Sequence, residues 1–134
     1  MAARLQLGSD LAEVARLNGW LAETVAAADV PKPVAEAAKL CLNELVANVI
    51  LYGYPDGRAG RIEVSVAPEA GALHVTLEDD GIAFDPLAAP EAAPLDGLED
   101  DRIGGFGIKL FREAAHSVAY ERSGGRNRLT FICG

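Results

Sequence analysis

The chain has 134 residues, half of them apolar and 24% charged, with a formal net charge of −8. That length suits one domain built round one core, and that composition suits a folded chain rather than a disordered one. The negative charge argues against a binder of DNA or RNA backbones, although backbone amides and a metal ion can still neutralise phosphate locally.

Basic residues gather late, at Arg102, Lys109, Arg112, Arg122, Arg126 and Arg128, after an acidic middle. Cys41 and Cys133 have neither metal spacing nor the density of a disulfide framework, and Cys41 lies among apolar residues as a buried thiol would. The first residues lack a charged segment leading into an apolar run, so no signal peptide is expected. No apolar stretch is long enough to cross a bilayer, which leaves the cytoplasm as the expected location and no membrane as partner.

In chain order, Arg4 to Leu7 reads as a short strand. Gly8-Ser9-Asp10 then offers an N-cap for an amphipathic helix with Leu11, Val14, Leu17, Leu21 and Val25 on one stripe. Asp29-Val30-Pro31 breaks that helix, and Pro31 or Pro33 suits the first turn of the next, which runs from Pro33 to Leu51. Its apolar positions include Val34, Ala38, Cys41, Leu42, Leu45, Val49 and Leu51. Two strands follow with period-two alternation: Ile62, Val64 and Val66 share one face, and Leu73, Val75 and Leu77 share another. Pro68-Glu69-Ala70-Gly71 makes the turn between them.

From Ala83 to Gly105 the chain carries three prolines and an acidic run without periodicity, which reads as a lid over residues 83–105. A helix from Phe106 to Ala115, a strand Ser117–Arg122, the turn Ser123-Gly124-Gly125 and a last strand Arg128–Cys133 complete the order. This β-α-α-β-β-lid-α-β-β order predicts an α+β two-layer sandwich, helices on one face of a mostly antiparallel sheet, as a single domain over residues 1–134.

Three stretches stand out against this frame. Glu44 and Asn48 are four apart on the second helix and therefore share a face. A carboxylate there can take a proton while the amide oxygen a turn away holds a cation, although the pair alone also fits a solvated polar stripe. Continuing the parity of Leu73, Val75 and Leu77 lands on Asp79, so a carboxylate occupies the next core-facing position. A break in patterning of that kind marks function, and a plain Asp-Gly turn is the competing account. A buried carboxylate there would accept a hydrogen bond from the amino group of adenine and face an acceptor in guanine. Gly81 would let the backbone pass close to a base, and Phe84 would wall the pocket or simply pack. Gly104-Gly105-Phe106-Gly107 opens the third helix, where unpaired N–H groups and the helix dipole favour phosphate. Arg102 and Lys109 are within reach of a terminal phosphate there, or are simply solvated.

With these motifs assembled, the chain resembles the GHKL superfamily of ATP-binding domains (the Bergerat fold), and within it the anti-sigma-factor serine/threonine kinases of bacterial partner-switching systems. The likeness spans nearly the whole chain and rests on Glu44-Leu-Val-Ala-Asn48, on Leu77-Glu-Asp79-Asp-Gly81-Ile-Ala-Phe84-Asp-Pro86, on Gly104-Gly-Phe-Gly107-Ile-Lys-Leu110 and on Asn127-Arg-Leu-Thr130-Phe. It implies Asn48 on Mg²⁺, Glu44 as general base toward an attacking serine hydroxyl, and Asp79 on adenine with Gly81 beneath it. It further implies Gly105 and Gly107 on the phosphates of ATP and Thr130 beside the adenine pocket.

The implied partners are a STAS-type antagonist and a sigma factor, with homodimerisation a family trait and no direct nucleic-acid contact. Tyr52 stands where many relatives have histidine, Phe106 where they have arginine or leucine, and Ala83 where the histidine-kinase branch prefers glycine. Two further functions compete with the kinase: a non-catalytic switch in which ATP only orders the lid, and a stand-alone ATPase.

Overall fold

The computed structural model describes residues 2–85 and 113–134. Among them the elements run β1 (Ala3–Gly8), α1 (Glu13–Ala28), α2 (Lys32–Gly53), β2 (Arg61–Glu69), β3 (Ala72–Asp79), β4 (Ala115–Ser123) and β5 (Arg126–Cys133). The strands form one sheet in the order β1-β2-β3-β5-β4, with every neighbouring pair antiparallel. Both helices pack on one face of it, the α+β arrangement that the alternation implied. Nearly all of the expected lid and all but the end of the expected Phe106–Ala115 helix lie outside the described residues, and Ala115, expected as the last helical residue, already belongs to β4.

Strand alternation builds the floor of the core. Ile62, Val64 and Val66 of β2 stand opposite Asp79, Leu77 and Val75 of β3, which in turn stand opposite Asn127, Leu129 and Phe131 of β5. The apolar members of this set are all buried, and α2 closes over them with Ala38, Cys41, Leu42, Leu45, Val46 and Val49. Leu17 and Leu21 of α1 complete the cover. Each buried aliphatic side chain contributes about 1.5–3 kcal/mol, so this face carries most of the fold's stability. A reciprocal amide pair, Asn18 with Asn43, ties α1 to α2 at 3.0 and 2.6 Å. The Cys41 and Cys133 thiols are free and buried across the helix–sheet interface. Cys41 holds its proton firmly because it donates it to Cys133 and is itself desolvated.

Local chemistry sets the joints. Asp29 ends α1 in the left-handed region at φ 58°, and Pro33 sits in the first turn of α2. Ala70 and Gly71 both have positive φ, as do Gly124 and Gly125, so both hairpins close through two-residue turns whose twist matches the strands. β2 therefore extends through Pro68 and Glu69, which the sequence had placed in the turn. Pro68 lies beyond the last β1–β2 pair, where a missing N–H costs no ladder bond.

Two expected core residues are exposed. Leu11 precedes α1, which starts at Glu13. Leu51 lies about 200° round α2 from Val49 and so faces outward, while Val46 and Ile50 fill the stripe instead. Among the described residues no helix is long and apolar enough to cross a membrane.

Candidate functional site

At the end of β3 the inward positions Leu73, Val75 and Leu77 are followed by Asp79, which is 2% exposed. A carboxylate does not stay at such a position without donors, and two arrive at the same oxygen. The Gly81 N–H donates to Oδ1 at 2.8 Å and the Asn127 Nδ2 amide at 2.9 Å. Neither of these two bonds uses Oδ2. Burial raises the Asp79 pKa above the ordinary carboxylate value, while these two donors and the Arg122 charge pull it back.

The next residue has the opposite surroundings. Asp80 accepts from the Tyr54 hydroxyl at 2.8 Å and the Arg61 N–H at 2.9 Å, with the Arg58 guanidinium 3.7 Å away. Desolvation raises its pKa, but these donors outweigh it and hold Asp80 below its usual range. Asp80 thus serves structure. It fastens the loop between α2 and β2, where Arg58 also lies 5.0 Å over the Tyr54 ring. A turn needs only one of the two aspartates, and Asp80 meets that need.

Gly81 has a steric reason to be glycine. A Cβ there would stand 2.6 Å from the Gly53 carbonyl oxygen and 3.1 Å from Asp79 Oδ1. That carbonyl belongs to the last residue of α2, where helices leave oxygens unpaired, and the Ile82 N–H fills it at 2.9 Å. The turn after β3 is therefore docked on the end of the helix that carries Glu44 and Asn48. Both of these side chains are 7% exposed, one helical turn apart, at the border of the apolar stripe. A solvated stripe does not describe them. Phe84 continues from this turn, its ring 5.6 Å from that of Tyr52 near the end of α2.

Asn127 was missed as a site residue, although it is the hub of this corner. Its Nδ2 also donates to the Ile82 carbonyl at 2.8 Å, and its Oδ1 accepts from the Phe84 N–H at 3.2 Å, from the Tyr120 hydroxyl and from Arg122 Nη1. Arg122 Nη1 reaches the Gly81 carbonyl as well, at 2.8 Å. The signal was present in the alternation. Phe131 and Leu129, continued back by two, land on Asn127, but the last strand was expected to start only at Arg128.

Thr130 requires a correction. It pairs with Thr76 and shares the parity of Arg128 and Ile132, so it belongs to the sheet face away from the helices and from Asp79. The residue that β5 brings opposite Asp79 is Asn127. Gly104, Gly105 and Gly107, with Arg102, Phe106 and Lys109, lie outside the described residues.

The family model described as "Histidine kinase-like ATPase domain" matches residues 7–133. The chain belongs to that family. The histidine kinase-like ATPase domain carries ATP as its implied ligand, in agreement with the GHKL resemblance. Among curated proteins, the chain is similar to the serine/threonine-protein kinase BtrW of Bordetella bronchiseptica, at 29% identity over 91 residues, 68% of this chain and 64% of that protein. It is also similar to proteins named anti-sigma F factor. One is from Geobacillus stearothermophilus, at 21% identity over 94 residues, covering 70% of this chain and 64% of that one. Another is from a Geobacillus species, at 35% over 46 residues, covering 34% and 32%. The matched stretches thus span less than two thirds of these relatives' own length.

Proposed function

We propose that this chain is an ATP-dependent serine/threonine-protein kinase that acts as an anti-sigma regulatory factor, phosphorylating a serine of a STAS-type antagonist. The observation that carries the proposal is the buried Asp79 carboxylate, with its hydrogen bonds from Gly81 and Asn127 on one oxygen, docked through Gly81 and Gly53 against the helix bearing Glu44 and Asn48. Family membership and the names of the relatives support the same reading.

In this reading Asp79 Oδ2 accepts the amino hydrogen of adenine, a charge-assisted bond of about 1.5–3 kcal/mol that a purine carbonyl cannot make. Glu44 takes the proton from the serine hydroxyl of the antagonist. The serine oxygen forms a bond to the γ-phosphorus as the bond to the bridging oxygen breaks, and ADP leaves. Asn48 supplies a hard amide oxygen of the kind Mg²⁺ accepts. Bound there, Mg²⁺ would spread the phosphate charge.

Labelled ATP, Mg²⁺ and a STAS-type antagonist test the assignment directly. The antagonist should gain one phosphoserine. Glu44→Gln should slow transfer by about 10²–10⁴-fold with ATP affinity retained. Tight ATP binding with no phosphate on the antagonist rejects the kinase. A second reading, a non-catalytic switch in which ATP only orders the lid, is motivated by Tyr52 and Phe106, which stand where many relatives carry other residues. Under it, Glu44→Gln leaves sigma-factor control intact while Asp79→Ala abolishes it.

A further inference from the structure

Asp79 cannot choose its own orientation. The carboxyl group can rotate, and which oxygen it shows to a ligand depends on what grips the other. Two bonds end on Oδ1, one from Gly81, which belongs to the same turn, and one from Asn127, which comes from a strand 48 residues away. The Asn127 amide is held at both ends. On its Nδ2 side stand two acceptors, Asp79 Oδ1 and the Ile82 carbonyl. On its Oδ1 side stand three donors, the Phe84 N–H, the Tyr120 hydroxyl and Arg122 Nη1. Exchanging the two ends would face acceptor with acceptor at Asp79 and Ile82 and donor with donor at Phe84 and Arg122, so these four contacts fix the orientation, while the Tyr120 hydroxyl can turn to suit either end.

Asn127 is 2% exposed, and buried polar groups bonded this completely are rigid. The same amide thus holds the carboxylate and, through Ile82 and Phe84, the backbone that runs on from it.

We infer that Asn127 is the positioning residue of the purine-reading carboxylate: one β5 amide sets the orientation of Asp79 and the path of residues 81–84 together, and so sets the preference for an amino over a carbonyl group on the purine. The second half of this inference rests on the ATP-binding assignment; the first half does not. Tyr120 and Arg122 act one step further out, as the anchors of Asn127 Oδ1. A merely structural Asn127 would support the fold and leave ligand discrimination alone.

The test compares ATP with inosine triphosphate, whose base carries a carbonyl where adenine carries the amino group. The natural chain should prefer ATP by about tenfold or more, the scale of one charged hydrogen bond. Asn127→Leu and Asn127→Thr should bring the two affinities within about threefold of each other, through loss for ATP alone. Equal weakening toward both nucleotides overturns the proposal.

Carbon-13 NMR of the unliganded protein gives a readout without nucleotide. Removing the Nδ2–H bond disfavours the charged carboxyl, so the Asp79 titration should move to higher pH in Asn127→Leu, and an unmoved titration overturns the positioning role. If Asn127→Leu fails to fold, Tyr120→Phe removes one anchor without touching Asp79 and should narrow the ATP preference about threefold. An unchanged preference in every folded variant also overturns the proposal. If the natural chain discriminates nothing while the titration still moves, the ATP assignment falls and the positioning of Asp79 stands.

Discussion

Asp79 and Asp80 are chain neighbours of the same chemistry, and they serve opposite regions of the molecule. Asp79 faces the helix side of the sheet, where a carboxylate is costly, and takes its bonds from Gly81 and Asn127 on one oxygen. Asp80 faces the loop side, half-exposed, with one oxygen accepting from Tyr54 and Arg61 and the other 3.7 Å from the Arg58 guanidinium. The first is destabilised by its surroundings and the second stabilised by them. On the proposed assignment, that difference separates a residue kept for a ligand from one kept for the fold, since natural chains tolerate local cost mainly where function needs it.

The largest effect that tests this contrast is Asp79→Asn. An Asn oxygen can still accept from Gly81 and Asn127, so stability at neutral pH should hold or rise by denaturant unfolding. ATP affinity should fall about tenfold or more by calorimetry, because the other position now carries a donor. A loss of stability with unchanged affinity would move Asp79 into the structural class.

Next comes Gly81→Ala. Its Cβ meets the Gly53 carbonyl, which is backbone and cannot step aside as a side chain would. A cost of about 1–3 kcal/mol in folding stability is expected, with weaker ATP binding as the turn lifts from α2. Asp80→Ala should cost about 1–2 kcal/mol by leaving the Tyr54 hydroxyl and Arg61 N–H without their acceptor, with ATP affinity little changed.

The smallest and sharpest test is pH. The folded pKa of Asp79 is raised, so its penalty is fully present above that value. It is relieved as pH falls through the raised value toward 3.8, because the folded chain binds the proton first. The folded pKa of Asp80 is lowered, so its contribution is present above 3.8 and is lost as pH falls through the lowered value. Unfolding measured from pH 7 downward should show the natural chain gaining on Asp79→Asn in the first window. It should lose its advantage over Asp80→Asn in the second.

Much of this arrangement was legible in the residues. The strands β2 and β3, the break at Asp29, both glycine-containing turns and the inward direction of Asp79 all follow from local rules of alternation, capping and positive φ. Errors arose where a boundary mattered. Starting the last strand two residues late hid Asn127, and attention fell on Thr130, whose parity sends it to the other face. Leu51 failed for a similar reason, since counting apolar residues along α2 does not say which side of the helix each occupies.

The sequence by itself determined which face each strand residue takes, because a period of two needs no information from elsewhere in the chain. It also placed Glu44 and Asn48 on one side of a helix, since 3.6 residues per turn is equally local. Only the tertiary structure decided what stands across from Asp79, and that the turn after it rests on Gly53. Those contacts depend on the register between strands far apart in the chain and on where a helix end meets a loop. Packing of the whole core sets both, and no short stretch of residues encodes either.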